Sequence, residues 1–303
     1  MRCIEAAIKV KDFPLPRLMR YLFFTSLIWA FSPGLIGNVL KGLDPLMVGS
    51  ARLIIALLVF LPLLRPRKIS HSEQFWLVAI GAVQFGIMYA CYLSAFRFIP
   101  SHLVALFSVL TPIYVVLIHD IRQRQFNSRY LLAALLSVAG ASVIKAKGGE
   151  SGSIWMGFAL MQISGLAFAF GQVAYRDWRL QRAAIKDSEV FGFLCAGGAA
   201  TALIASFLIT PEPGNFLQAS WPQFGVVLYL GAIASGLGFF LWNKGATLCS
   251  AGALGAFNNA LVPMAIFVSL FVFGEISGAS MIELGRLLMG ATLITAAVFI
   301  GVG

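Results

Sequence analysis

Ten runs of apolar residues, each about twenty long, succeed one another along the chain, at roughly 20–40, 46–64, 75–96, 101–119, 129–146, 154–175, 190–210, 221–243, 251–273 and 281–301. A run of that length crosses the hydrocarbon core of a bilayer as a helix. In that medium every backbone polar group has to be satisfied inside the segment or its neighbours. The pattern therefore confines the chain to an all-α membrane protein of ten transmembrane helices. Connections are short and marked by charge or by Gly and Pro, as in Lys41-Gly-Leu-Asp-Pro45, Arg65-Pro-Arg-Lys68, Lys147-Gly-Gly-Glu150 and Pro211-Glu-Pro-Gly214. They leave no room for a soluble catalytic domain.

Charge supports the same reading. Only 11% of the residues are charged against 59% hydrophobic, and the mean hydropathy is +0.88, whereas soluble domains carry about 25% charge. A net charge of +10 would suit a nucleic acid if it lay on one face. Here Lys and Arg sit in short runs between spans, so topology explains them and no nucleic-acid partner is expected. Lys41, Arg97, Lys145 and Lys147 fall on one side, while sixteen others occupy the N-terminal segment and the linkers after spans two, four, six and eight. That bias predicts both termini in the cytoplasm and a multi-pass protein of the plasma (inner) membrane. The first apolar run exceeds the length of a signal-peptide core and is expected to remain as the first span. Cys3, Cys91, Cys195 and Cys249 match no metal or redox spacing, and neither a metal nor another cofactor is expected.

Two spans carry residues that a lipid-facing helix has no use for. Gly255 to Glu275 contains Asn258, Asn259 and Pro263, and 150 residues earlier Leu103 to Leu117 contains Pro112. Phe107 corresponds to Phe257, and Leu132-Ala-Ala-Leu-Leu-Ser-Val-Ala-Gly140 resembles Met289-Gly-Ala-Thr-Leu-Ile-Thr-Ala-Ala297. Five spans per half is odd, so a similar second half enters the membrane from the other side. The expected organisation is a cytoplasmic segment 1–19 and two inverted five-helix repeats, 20–146 and 154–303, around a central cavity near the midplane.

The order of Leu27-Ile-Trp-Ala30 in the first span, Arg52 near the start of the second, Pro263 to Gly274-Glu275 in the ninth and Gly290-Ala-Thr-Leu-Ile in the last resembles the EamA family of the drug/metabolite transporter superfamily, over nearly the whole chain. The resemblance implies secondary transport, commonly export of amino acids, related metabolites, amines or drugs. It also implies spans one to four and six to nine around the cavity, with five and ten outside. The chain departs from the pattern at His119-Asp-Ile-Arg-Gln-Arg124, where the first half lacks a Gly-Glu ending, and in the seventh span, which has no arginine matching Arg52.

Polar and aromatic residues inside spans are the candidate substrate-binding lining: Trp29, Ser32, Gln84, Tyr89, Tyr92, Ser108, Thr111, Gln162, Phe168, Gln172, Tyr175, Trp242, Asn258 and Asn259. Such a lining suits a cavity that stacks on a ring or cation and hydrogen-bonds an ammonium or carboxylate. A single Ser or Thr is as readily explained as interhelical glue, and Trp242 as part of an interfacial belt, the role expected of Trp76, Trp155 and Trp221. Pro33, Pro112 and Pro263 are candidate helix breaks that let half-helices gate. Arg52 is an intramembrane charge. It could meet a substrate carboxylate, pair with Asp44 or Glu283, or cap carbonyls, and the resemblance favours a structural or gating role.

A small-molecule substrate and the bilayer are the expected partners, with the protein a monomer or homodimer. A lipid-processing enzyme embedded in the membrane would need clustered Asp, Glu, His or Cys, and a passive channel a ring of charges or a repeated carbonyl filter. The sequence displays none of these.

Overall fold

The computed structural model describes residues 15–32, 35–36, 39–40, 42–99, 104, 107–145, 154–210, 213–271 and 281–302. Among them ten helices follow one another: α1 Leu15–Ala30, α2 Pro45–Phe60, α3 His71–Ala95, α4 Thr111–Gln123, α5 Ser128–Lys145, α6 Ile154–Leu180, α7 Asp187–Ile209, α8 Trp221–Ala246, α9 Ala251–Phe271 and α10 Met281–Val302. Residues 33–34, and with them the candidate break at Pro33, lie outside the described residues, as do 1–14 and 146–153.

Local signals set the starts. Asp44 accepts a hydrogen bond from the Met47 amide at 3.0 Å, with Pro45 in the first turn of α2. Ser70 and Glu73 form a reciprocal capping box at the head of α3, and Ser220 and Gln223 do the same for α8. The Asn127 carboxamide oxygen accepts from the amides of Arg129 and Tyr130 to open α5. Arg124, in the left-handed region at φ 52°, ends α4.

α2 with its 3-10 continuation to Leu63, α3, α6, α7 and α8 are each long and apolar enough to cross a bilayer. The outward faces are apolar as well. Phe75, Leu208, Phe207, Leu288 and Phe299 are exposed, an arrangement that suits lipid and would not be tolerated in water. The protein is a multi-pass membrane protein.

α2 packs on α7 and α8, α3 on α6 and α7, α1 on α8 and α9, α6 on α4, α4 on α9, and α5 on α10. Close backbone approach makes the α3–α7 contact. A Cβ at Gly81 would fall on the Leu194 backbone, and one at Gly197 on the Val78 carbonyl. Two buried clusters result. One gathers Leu53, Leu77, Phe85, Tyr175, Phe191 and Leu194 between α2, α3, α6 and α7. The other gathers Leu22, Val115, Val173, Trp242, Leu254 and Ile294 between α1, α4, α6, α8, α9 and α10.

The two prolines behave differently. Pro112 sits in the first turn of α4, behind a 3-10 turn at Ser108–Leu110. Pro263 lies inside α9, which runs through it as one helix. α9 is held by α1, α4, α5 and α10, and packing on several sides lets a transmembrane helix keep its course through a proline.

Replacing Gly197 with Val is expected to lower thermal stability in detergent by about 1–3 kcal/mol through overpacking. Gly225, which has open space around it, should accept Ala with no loss, and a melting curve of each variant checks the contrast.

Candidate substrate site

Two π-helical turns shape the interior, at Ala82–Ile87 in α3 and at Leu230–Leu237 in α8. Such turns insert one residue into the helical ladder and recur at functional sites. The first carries Gln84 and Phe85, with Tyr89 one turn on; the second carries Ser235, with Phe239, Trp242 and Asn243 following on α8. Gln84 and Asn243, 0% and 1% exposed, form a reciprocal carboxamide pair. Gln84 Nε2 donates to Asn243 Oδ1 at 2.8 Å and Asn243 Nδ2 donates to Gln84 Oε1 at 3.3 Å. Gly171 of α6 is what permits the approach, since a Cβ there would meet the Gln84 side chain.

Beside this pair, Trp242 Nε1 donates to Gln172 Oε1 at 2.9 Å. Gln172 and Asn258 lie 3.5 Å apart, and Asn258 Nδ2 returns to the Leu254 carbonyl at 2.8 Å. Trp29 stacks on Trp242 with ring centroids 5.1 Å apart and touches Phe239 at 5.4 Å and Phe168 at 6.2 Å. Its indole donates to the Ala234 carbonyl at 2.7 Å, an approach left open by Gly238, where a Cβ would crowd the indole nitrogen. Phe85 stacks on Phe239 at 4.4 Å.

Beyond these rings lies Arg52, 6% exposed. Its Nε donates to Ser235 Oγ at 3.1 Å, its guanidinium carbon stands 5.2 Å over the Tyr89 ring, and Tyr89 Oη lies 3.2 Å from Ser235 Oγ. Among the described residues no carboxylate is within ion-pair distance of it. Asp44, one of the partners expected from the sequence, instead caps α2 and meets Arg97 at 3.4 Å and Thr210 at 3.0 Å.

The fold thus brings together Trp29, Arg52, Gln84, Tyr89, Phe168, Gln172, Trp242 and Asn258. Tyr92, edge-on against Phe96, lies within electrostatic reach of Tyr89 and Arg52. Other candidates lie apart. Thr111 bonds the Ser108 carbonyl at the entry to α4. Gln162 accepts from Tyr114 at 2.6 Å and donates to the Phe107 carbonyl. Asn259 donates to the Val109 carbonyl at 3.0 Å, joining α9 to the turn before α4. Tyr175 donates to Asp187 at 2.7 Å near the ends of α6 and α7. The Ser32 hydroxyl is buried without a partner among the described residues. Trp155 and Trp221 are 80% and 86% exposed and Trp76 also faces outward, whereas Trp242 is wholly enclosed.

The two ends of the bundle differ. At the end rich in basic residues, Lys68–Glu189 at 2.6 Å, Arg122–Asp177 at 2.6 Å, Arg179–Asp187 at 3.2 Å and an Arg182–Glu73 pair tie the α2–α3 connection, α3, α4, α6 and α7 together. A cleft of about 310 Å³ opens there between Glu73, Trp76, Arg122, Asp177, Trp178 and Arg182. At the opposite end, Arg97 reaches both Asp44 and the Ile209 carbonyl. Asn243, Ser235, Phe239 and Phe85 were not singled out by sequence. The available signal was the carboxamide beside Trp242 and the glycine-rich run Gly231 to Gly238, which marks where α8 winds loosely.

An apolar bundle that closes carboxamides, a cation and stacked rings inside itself, with no cluster of His, Cys, Asp or Glu able to hold a metal among its described residues, has the architecture of a membrane transporter. Residues 18–146 match the model of the EamA-like transporter family. Over 286 residues the chain is 38% identical to the probable biotin transporter of Pseudomonas aeruginosa PAO1, covering 93% of this chain and 96% of that one. It is 35% identical over 261 residues to the biotin transporters of Escherichia coli K12 and Salmonella typhimurium LT2, covering 85% of each partner in both alignments. A crystal structure with 20% identity superposes with a TM-score of 0.74 over 94% of this chain and 97% of that one, which establishes the shared fold. The chain belongs to the EamA-like transporter family, and it is a transporter, not an enzyme.

Leucine in place of Gln84 alone leaves the Asn243 carboxamide buried without its partner and should cost about 1–3 kcal/mol of stability. The double variant Gln84→Leu/Asn243→Leu should recover part of that loss, a non-additivity read from thermal unfolding of the three proteins.

Proposed function

We propose that the protein carries biotin across the membrane by alternating access, with residues 20–146 and 154–303 as two inverted halves around the interior polar and aromatic site. The observation that carries the substrate is the alignment with the Pseudomonas aeruginosa relative along 93% of this chain. It favours biotin over the amino acids, amines and drugs that the wider family transports.

The inverted arrangement has three supports. Shifting helix numbers by five maps the packing of α1 on α8 and α9 onto that of α6 on α3 and α4, and maps α2 on α8 onto α7 on α3. The π turns fall at corresponding places in α3 and α8. The family match at 18–146 ends where the first half ends. α4 and α9 then meet on the axis between halves, where Asn259 bonds the carbonyl of Val109, 150 residues before it. Rocking about this contact would expose the site first at one end and then at the other. Trp29, Gln84, Tyr89, Phe168, Gln172, Trp242 and Asn258 form the substrate surface in this reading. Tyr92, Ser108, Thr111, Gln162, Tyr175 and Asn259 serve helix contacts along the path, and the Ser32 hydroxyl stays unpartnered among the described residues.

The excess of Lys and Arg at one end orients that end to the cytoplasm, with both termini there, in the inner membrane. Tags at residues 150 and 303 are expected on opposite sides of the membrane; finding both in one compartment would overturn the inverted halves. Purified protein in liposomes should take up labelled biotin saturably and faster when unlabelled biotin is inside. Flux that never saturates would indicate a channel, and no flux would remove biotin as substrate.

A further inference from the structure

We infer that the two ends of the ligand are read by two separate groups: the Gln84–Asn243 carboxamide pair takes a ureido or similar cis-amide edge, and Arg52 with Tyr89 and Ser235 takes a carboxylate. This rests on the substrate reading above and assigns residues to each part of it.

Each carboxamide in the pair has two N–H donors and two acceptor lone pairs, and the reciprocal bonds at 2.8 and 3.3 Å use one of each. Trp242, next to Asn243, spends its own donor on Gln172. The pair therefore presents the hydrogen-bond pattern of a cyclic urea, whose N–H and C=O groups can take the place of either carboxamide without leaving the other unpaired. Such exchange matters at zero exposure, where a carboxamide without a partner is costly.

At the other group, Arg52 is buried with the Ser235 hydroxyl, the Tyr89 ring and the nearby Tyr92 phenol as its neighbours and no carboxylate within ion-pair distance among the described residues. A cation so placed is compensated only in part, and a planar fork of N–H donors is the shape that holds a carboxylate by two bonds.

The spacing between the groups sets the ligand's length. Gln84 and Tyr89 are five residues apart on α3, and Ser235 and Asn243 eight apart on α8, so the groups are separated by about 8–12 Å along the helices. The interval is filled by Trp29, Phe85, Phe239 and Trp242. Biotin has this order of parts: a ureido ring, an apolar thioether ring and methylene chain, and a terminal carboxylate.

Counterflow with the full chain in liposomes, using biotin, its neutral amide and 2-iminobiotin as competitors, tests the assignment. The wild type should prefer biotin over the amide by roughly tenfold or more, and Arg52→Gln should erase that preference. 2-Iminobiotin carries a guanidinium in place of the ureido group. Gln84→Glu should turn the wild-type preference for biotin over 2-iminobiotin toward 2-iminobiotin by roughly tenfold or more. A misfolded protein cannot acquire such a preference. If Gln84→Glu yields no folded protein, Asn243→Asp makes the same change from the other helix. Wild-type uptake of biotin with both selectivity ratios unchanged in the variants would overturn the assignment and leave the substrate reading standing. A wild type that transports none of the three would overturn both.

Discussion

Hydrocarbon offers a polar group nothing to bond to, and the interior of this protein divides according to how each polar side chain meets that condition. Hydroxyls meet it locally. Thr25, Ser26, Ser50 and Ser206 can each donate to the carbonyl four residues back in their own helix, so their bonds to other helices, Ser50 with Ser206 at 2.5 Å and Thr25 to the Gly238 carbonyl at 3.3 Å, add to a group already satisfied. Carboxamides cannot do this fully. Gln84, Asn243, Gln172 and Asn259 reach across to other helices, so their pairing fixes which helices face one another. Interhelical bonds of this kind contribute about 0.6–2 kcal/mol each, yet a buried carboxamide left unpaired costs about 1–3 kcal/mol. The penalty for breaking a pair exceeds the gain from making it, so the pairs act as constraints on arrangement more than as sources of stability.

That distinction also explains how far the sequence could be read. The number of helices follows from the number of apolar runs, and the starts of α8 at Trp221 and α9 at Ala251 fall on the expected residues. α6 continues past its apolar run to Leu180 because Arg176, Asp177 and Arg179 extend the helix while bonded at the basic end. The candidate lining was chosen by residue type, which cannot separate Gln172, bonded to Trp242 inside the site, from Gln162, bonded to Tyr114 outside it. Nor does a period of 3.6 register a π turn, and it is on the π turns that Gln84 and Ser235 ride. Asn243 went unnoticed because its meaning lies in a partner 159 residues away. Arg52 was legible as an intramembrane charge, but the hydroxyl and ring that receive it come from α8 and α3.

Arg52 sets the energetic character of the site. An arginine at the centre of a membrane helix costs about 2.5–3.5 kcal/mol on insertion scales. A desolvated cation–π contact returns about 2 kcal/mol, and a hydrogen bond to a charged group about 1.5–3 kcal/mol. The contacts to Tyr89 and Ser235 are thus of the size needed to hold the charge in place without neutralising it. Removing either contact would tip the balance, while an incoming anion would gain the field that remains.

The ends of the bundle obey a different arithmetic. The ion pairs of the basic end hold side chains that are partly exposed, as in Lys68–Glu189 and Arg182–Glu73, and such pairs contribute about 0–1 kcal/mol apiece. At the opposite end one carboxylate, Asp44, serves the α2 cap, Arg97 and Thr210 together. Opening either end therefore exchanges weak bonds for water at small cost. Parting the interior helices without supplying replacements would strand carboxamides in a dry medium. On the alternating-access reading this asymmetry gives the cycle its order: the ends open and close freely, and the interior yields only when a ligand brings its own donors and acceptors to the groups it displaces.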